Sequence, residues 1–330
     1  MMIAKHVRKL EGYVPGEQPK SRKVVKLNTN ENPYPPSPKC AEVLKDFDLE
    51  FLRKYPDPDC TELKAALAKL NGTTSDRIFV GNGSDEILAL CAKAFVEDDE
   101  AIGSLDPSYS LYKTLAAIRN VPWVGNMNCS LFLWTNPNAP TGEWVEPEVI
   151  ARAAKKFKGV VLIDEAYADF AKGNCMSLAT AKENKNILVM RTFSKSFSLA
   201  GLRVGYCVGP KELIDALTKV KDSYNIDAVA QRVALAAVKD IKWMKANVKK
   251  VLKTRAETAA HLKALGWEVR ESESNFLFAK PPKGRTAKEI FDKLRAKKIF
   301  VRWWATKNVQ DYIRITIGTD EQMKVFFDNL

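Results

Sequence analysis

Apolar residues fall along this chain in two alternating patterns. Short runs with little polar interruption occur at SLFLW (130–134), GVVLID (159–164), ILVM (187–190) and GYCVG (205–209). A strand that is apolar in both side-chain directions is buried on both faces, so these runs predict strands inside a covered sheet. Between them, apolar positions recur at helical spacing. TELKAALAKL (61–70) and the stretches 147–157 and 211–222 predict helices, with Thr61 a candidate cap. DRIFVGNGSDEILALCAKAF (76–95) reads as a strand, a glycine-rich turn and a helix. Strands alternating with helices predict an α/β fold, a mostly parallel sheet with helices on both faces.

The pattern changes after about residue 225. A long, basic helical stretch runs to about residue 265. WEVRES, NFLFAK, a helix at 286–297, IFVRWW and DYIRITIG follow, and they predict a smaller α+β C-terminal domain. Near the start, NTNENPYPPSP must be extended or turned, because its prolines exclude helix. The expected division is a large domain at 30–224, with 1–29 and 225–330 forming a small domain and an N-terminal arm.

Composition narrows the function. The chain has 330 residues, 46% of them hydrophobic, enough for a sizeable core. It has no apolar run long enough for a transmembrane helix and no apolar signal core, so an intracellular, cytoplasmic protein is expected, with no membrane partner. The six cysteines form no CxxC pair and have no neighbouring histidine, which argues for reduced thiols and no metal. There are only two histidines, His6 and His261, so acid–base work falls to Lys, Asp, Glu or Tyr. Much of the formal charge of +12 sits in runs such as KANVKKVLKTR (245–255), which read as a solvated helix face. No nucleic-acid-reading motif accompanies them, and no nucleic-acid partner is expected. A positive field favours an anionic small substrate.

In open α/β sheets ligands bind beyond the carboxyl ends of the strands. GNGSDE, TNPNAPTG, DEAY and RTFSKSF occupy those positions here. The free N–H groups at Ser84 and Asp85, after the flexible Gly83, point at an anion. A buried carboxylate at Asp164 favours a cationic partner such as a protonated ring nitrogen. Tyr167 could hydrogen-bond a ring oxygen. Burial and a nearby cation, Arg203, would lower the pKa of Lys195 and make it nucleophilic; Arg203 could also bind phosphate. Read singly, each motif also fits a plain turn, a helix cap or a surface lysine.

In the order GNGSDE, PSYSLY, NPNAPTG, DEAY, SKSFSLAGLR, the chain resembles the fold-type-I pyridoxal-phosphate aminotransferases, and its large domain would be aspartate-aminotransferase-like. NTNENPYPPSP and YIRITIGT narrow the resemblance to the histidinol-phosphate aminotransferase group, from about Tyr13 to Thr319. The resemblance implies a pyridoxal 5'-phosphate cofactor carried covalently by Lys195, with Asp164 on the ring nitrogen, Tyr167 on the ring oxygen and Tyr109 stacked on the ring. It places the phosphate on Gly83, Ser84, Asp85, Ser194 and Arg203, with Tyr55 reaching it from the neighbouring subunit of a homodimer. It makes Arg314 the grip on the anionic substrate, with Tyr13, Asn275 and Arg302 facing that substrate. Two departures stand out. Ala139 replaces the asparagine that normally precedes PTG, leaving Asn138 or Asn136 for that ring contact. The segment between PSYSLY and NPNAPTG looks short for a further strand and helix. The implied reaction moves an amino group between histidinol phosphate and 2-oxoglutarate, in histidine biosynthesis. An aromatic amino acid aminotransferase, a threonine-phosphate decarboxylase and a non-catalytic sensing module share parts of the motif set.

Overall fold

The computed structural model describes residues 2–21 and 23–330. A seven-stranded sheet holds the centre. Its strands are β2 (Ile78–Gly81), β3 (Ile102–Ser104), β4 (Trp123–Val124), β5 (Leu131–Thr135), β6 (Val160–Asp164), β7 (Ile187–Thr192) and β8 (Gly205–Val208), in the spatial order β2-β8-β7-β6-β5-β3-β4. Only β8 runs against the others: it pairs antiparallel with both β2 and β7, and the remaining pairs are parallel. Alternate residues of each strand enter two separate apolar clusters. Phe132, Val161, Ile163 and Val189 face one side; Leu131, Leu133, Leu162 and Leu188 face the other. That double burial is the cause of the unbroken apolar runs.

The predicted helices form at Thr61–Asn71, Gly83–Ala94, Pro147–Lys156 and Lys211–Val220. Thr61 is the first helical residue rather than the cap; Cys60 precedes it in a left-handed conformation, and Asp57 accepts the Thr61 N–H at 2.7 Å. The segment that looks short in sequence holds the rest of a helix that begins inside PSYSLY, Leu111–Arg119, then the two-residue edge strand β4 and β5, with no second helix between them among the described residues. The basic stretch after 225 is two helices, Ala228–Lys239 and Ile241–Ala264, broken at Asp240. The first is capped by Asp227, which accepts from Ala230 at 2.8 Å.

Beside this body lies an antiparallel sheet of β9 (Glu268–Val269), β10 (Phe276–Lys280) and β12 (Ile313–Thr316). The N-terminal strand β1 (Val25–Lys26) pairs parallel with β11 (Ile299–Phe300). Leu27 then donates to Phe300 and accepts from Thr316, at 2.7 and 3.0 Å. The chain after β1 is thereby wedged between β11 and β12, and Asn28, Thr29 and Asn30 are delivered to the mouth of the central sheet. Among the described residues no helix is long and apolar enough to cross a membrane.

Candidate functional site

Strands β2, β3, β5, β6 and β7 run the same way, so their carboxyl ends share one edge of the sheet. A cavity of about 560 Å³ opens there, closed on its far side by the N-terminal arm and the β11–β12 segment. Of the side chains singled out in the sequence, Lys195, Asp164, Tyr167, Ser84, Asp85, Tyr109, Ser194, Arg203, Tyr13, Arg302 and Arg314 all line it. Residues 164, 195 and 203 therefore meet on a single space.

Asp164 ends β6 and is 5% exposed. One carboxylate oxygen accepts from the Tyr112 hydroxyl at 2.8 Å, the other from the Ala166 N–H at 3.1 Å. Burial raises its pKa to about 6, against the pull of these two donors. A cation placed in the cavity would restore the carboxylate. Lys195 follows β7 and donates to the Thr29 carbonyl at 3.1 Å. Burial lowers its pKa to about 8, helped first by Arg314 and less by Arg203, with Glu31 and Asp85 opposing. Arg203 is thus the lesser cation; Arg314, more than a hundred positions later in the sequence, is the greater.

The corner between Gly83 and Arg203 is built by close backbone approach. Gly83 has φ +75°, and an added Cβ would collide with the Arg203 guanidinium. Gly205 in β8 is equally constrained, since a Cβ there would lie 2.7 Å from the Ser84 nitrogen. Two glycines thus let a helix start, a sheet strand and an arginine converge. Asn82 gives the helix no side-chain cap, so its first N–H groups are available to an anion. Arg203 also reaches Ser194 at 3.3 Å and Asp85 at 3.2 Å.

On the opposite wall, Arg302 and Arg314 pair through their main chains, and both guanidiniums approach the Trp304 ring, at 5.3 and 5.2 Å. Arg314 donates to the Asn28 carbonyl at 2.8 Å, while its buried Nε has no hydrogen-bond partner among the described residues. Tyr13 meets Tyr109 edge-on, with ring centres 5.8 Å apart.

Four predicted residues lie behind or away from the cavity wall. Asn138 turns its side chain away from the cavity toward its own loop and the segment after β3, donating to Pro107 and Thr141 at 3.0 and 2.9 Å and accepting from Ser108 at 2.9 Å. Asn136 is likewise bound to Val145 through both side-chain atoms, so Ala139 and Pro140 form the wall. Asn275 is fully buried behind Asn30, to whose carbonyl it donates at 3.0 Å. Tyr55 is 79% exposed, outside this cavity, and stacked on Tyr224.

Several cavity-facing groups were not assigned from the sequence. Asn30 donates to the Tyr167 hydroxyl at 2.9 Å, and Thr29, Glu31 and Trp304 line the wall. Tyr112 sits beneath Asp164. All five fall inside segments that the sequence marked as distinctive, but their individual roles depend on tertiary register.

The residues present fit pyridoxal 5'-phosphate. A carboxylate suited to a cationic ring, an amine with lowered pKa and an anion cradle share one cavity, and an orphaned arginine N–H adds a second anion site.

Comparison with known proteins agrees with this geometry. The family described as aminotransferase class I and II matches residues 22–330. "Histidinol-phosphate aminotransferase 1" of Trichormus variabilis is 42% identical over 96% of this chain and 94% of its own length. The histidinol-phosphate aminotransferase of Clostridium beijerinckii is 41% identical over 98% of this chain and 95% of its own. The crystal structure of the Sinorhizobium meliloti histidinol-phosphate aminotransferase, in complex with pyridoxal-5'-phosphate, superposes with a TM-score of 0.89, covering 98% of this chain and 95% of that one. At 23% identity, that last likeness speaks for the fold.

Proposed function

The chain belongs to the aminotransferase class I and II family, and from that premise we propose that it exchanges an amino group between histidinol phosphate and 2-oxoglutarate. The products are imidazole acetol phosphate and glutamate. The observation that carries this reading is the meeting, in one cavity, of the Lys195–Asp164 pair with the Arg302–Arg314 wall. The first pair serves amine chemistry and the second an anionic substrate group.

Pyridoxal 5'-phosphate supplies a carbonyl carbon that bonds amines and a protonated ring that takes up an electron pair from the substrate carbon. The protein's part is binding, orientation and proton handling. Asp164 would hold the ring-nitrogen proton. The Ser84 and Asp85 N–H groups, Ser194 and Arg203 would hold the phosphate. Tyr109 would cover the ring, and Tyr167, whose hydroxyl accepts from Asn30, would bond its oxygen. Lys195 Nζ would be the covalent attachment point and, as a free amine, the group that takes the proton from the substrate α-carbon. Burial and Arg314 make that amine available near neutral pH. Arg302 and Arg314 orient the phosphate-bearing end of the substrate.

This reading includes a homodimer and a cytoplasmic setting, with residues 30–224 as the large domain and 1–29 with 225–330 as the small one. Leu49, Phe51 and Leu52 are 45–72% exposed and adjoin the stacked pair Tyr55–Tyr224, a patch suited to a second copy. Light scattering should give twice the chain mass. Function is tested by mixing purified, cofactor-loaded protein with histidinol phosphate, phenylalanine, tyrosine and phosphothreonine and measuring amino transfer or carbon dioxide release. Preferred transfer from histidinol phosphate is expected. Preference for an aromatic amino acid, or decarboxylation of phosphothreonine, would overturn the assignment.

A further inference from the structure

We propose that Tyr112 is a positioning residue for Asp164, at the end of a buried hydroxyl relay that holds the carboxylate toward the cavity. This inference rests on the cofactor role of Asp164 given above. Tyr112 is fully buried in the helix Leu111–Arg119, and its ring meets Tyr109 edge-on with centres 5.6 Å apart. Its hydroxyl lies 2.8 Å from Asp164 Oδ2 and 2.6 Å from Thr135 Oγ1. A phenol has one proton, and an ionised carboxylate can only accept, so that proton goes to Asp164. Thr135 must then donate to the Tyr112 oxygen. Ser108 stands behind Thr135 at 3.1 Å. The hydroxyls of Thr135 and Tyr112 therefore point the same way and end on the carboxylate.

The arrangement does two things. It fixes one oxygen of Asp164 laterally, while the Ala166 N–H fixes the other. It also stabilises the charged form of a carboxylate that burial disfavours, so Asp164 stays an anion able to retain a ring proton. A charge-assisted hydrogen bond in a dry site is worth more than a neutral one, and the bonds of such a chain strengthen one another. Tyr112 thus also links the cover of the proposed ring, through Tyr109, to the group beneath its nitrogen.

The test starts from loaded enzyme. Cofactor is removed from the wild type, Tyr112→Phe, Asp164→Asn and the double variant, and pyridoxal 5'-phosphate is titrated back with tryptophan fluorescence as the readout. Tyr112→Phe should weaken binding by about tenfold, Asp164→Asn by more, and the double variant no further than Asp164→Asn alone. Turnover of Tyr112→Phe should fall with little change in KM for the amino donor. If Asp164→Asn binds cofactor as tightly as wild type, the role given to Asp164 fails and the inference falls with it. If Asp164→Asn is weakened but Tyr112→Phe is not, the inference alone fails. Equal losses from Tyr112→Phe in both backgrounds would make the phenol a packing element and overturn the proposal. Should Tyr112→Phe not fold, Thr135→Val, which keeps the ring, should show the same coupling to Asp164, and independence from it would be equally fatal.

Discussion

Lys195 Nζ donates to the main-chain carbonyl of Thr29 at 3.1 Å, across 166 positions of sequence. The contact joins the two parts of the molecule. Lys195 follows strand β7 of the central sheet, whereas Thr29 is held by the pairing of β1 with β11 and of Leu27 with Thr316. The chemistry of the central sheet is therefore set in part by the smaller layer, which also brings Arg314 and Glu31 to the amine.

The pH response of Lys195 follows from those neighbours. In the cofactor-free protein its reaction with an amine-selective reagent should rise with a midpoint near pH 8, because only the neutral amine reacts. Arg314→Gln removes a cation and should move the midpoint up; Glu31→Gln removes an anion and should move it down. Peptide mapping of the modified lysine across pH checks both signs. Shifts in the opposite directions would refute the electrostatic account.

Asp164 should make the cofactor-free protein less stable as pH rises. Its folded pKa of about 6 lies above the ordinary value of 3.8. The native state therefore binds the proton more tightly, and that stabilisation is complete below about pH 4 and lost as pH climbs through 6. Asp164→Asn should accordingly be more stable than wild type above pH 6, by up to about 3 kcal/mol, with the gap closing toward pH 4. Denaturant unfolding of the two proteins at a series of pH values measures it.

Arg191 neutralises the buried Glu165 at 2.8 Å and reaches Asp169 at 3.2 Å, and Asp169 accepts in turn from Ser196. Glu165 adjoins Asp164 and Ser196 adjoins Lys195, so this cluster clamps the two reactive loops together. Arg191→Met should cost about 3–5 kcal/mol, since the Glu165 side chain is wholly enclosed and would be left unpaired. Urea unfolding should show the loss, and Glu165→Gln in the same background should recover part of it.

Arg314→Gln should raise KM for the phosphate-bearing amino donor by about 10- to 100-fold, the worth of a charge-assisted hydrogen bond. Arg302→Ala should have a smaller effect of the same sign, because that guanidinium also bonds the Val14 and Pro15 carbonyls of the arm. Steady-state kinetics at fixed 2-oxoglutarate would decide. An unchanged KM in both variants would remove the arginine wall from substrate recognition.

The sequence by itself determined the sheet and the identity of its reactive edge. Burial on both faces demands unbroken apolar runs, and a parallel strand must hand its next residues to one rim, so Asp164, Lys195 and the GNGSDE turn could be placed together from pattern alone. It could not determine which neighbours would reach them. Asn138 was a reasonable ring contact by its place in NPNAPTG, yet the Pro107 carbonyl and the Ser108 and Thr141 hydroxyls take up its amide, and Ala139 and Pro140 face the cavity instead. Arg314, not the nearer Arg203, is the larger cation acting on Lys195, and Tyr112, from outside DEAY, joins the Ala166 N–H in supporting Asp164. Those relations join residues through folding distance, not chain distance. A hydrogen bond or a Coulomb interaction depends on a few ångströms of separation, and only the packing of helix, arm and small sheet against the rim fixes such separations.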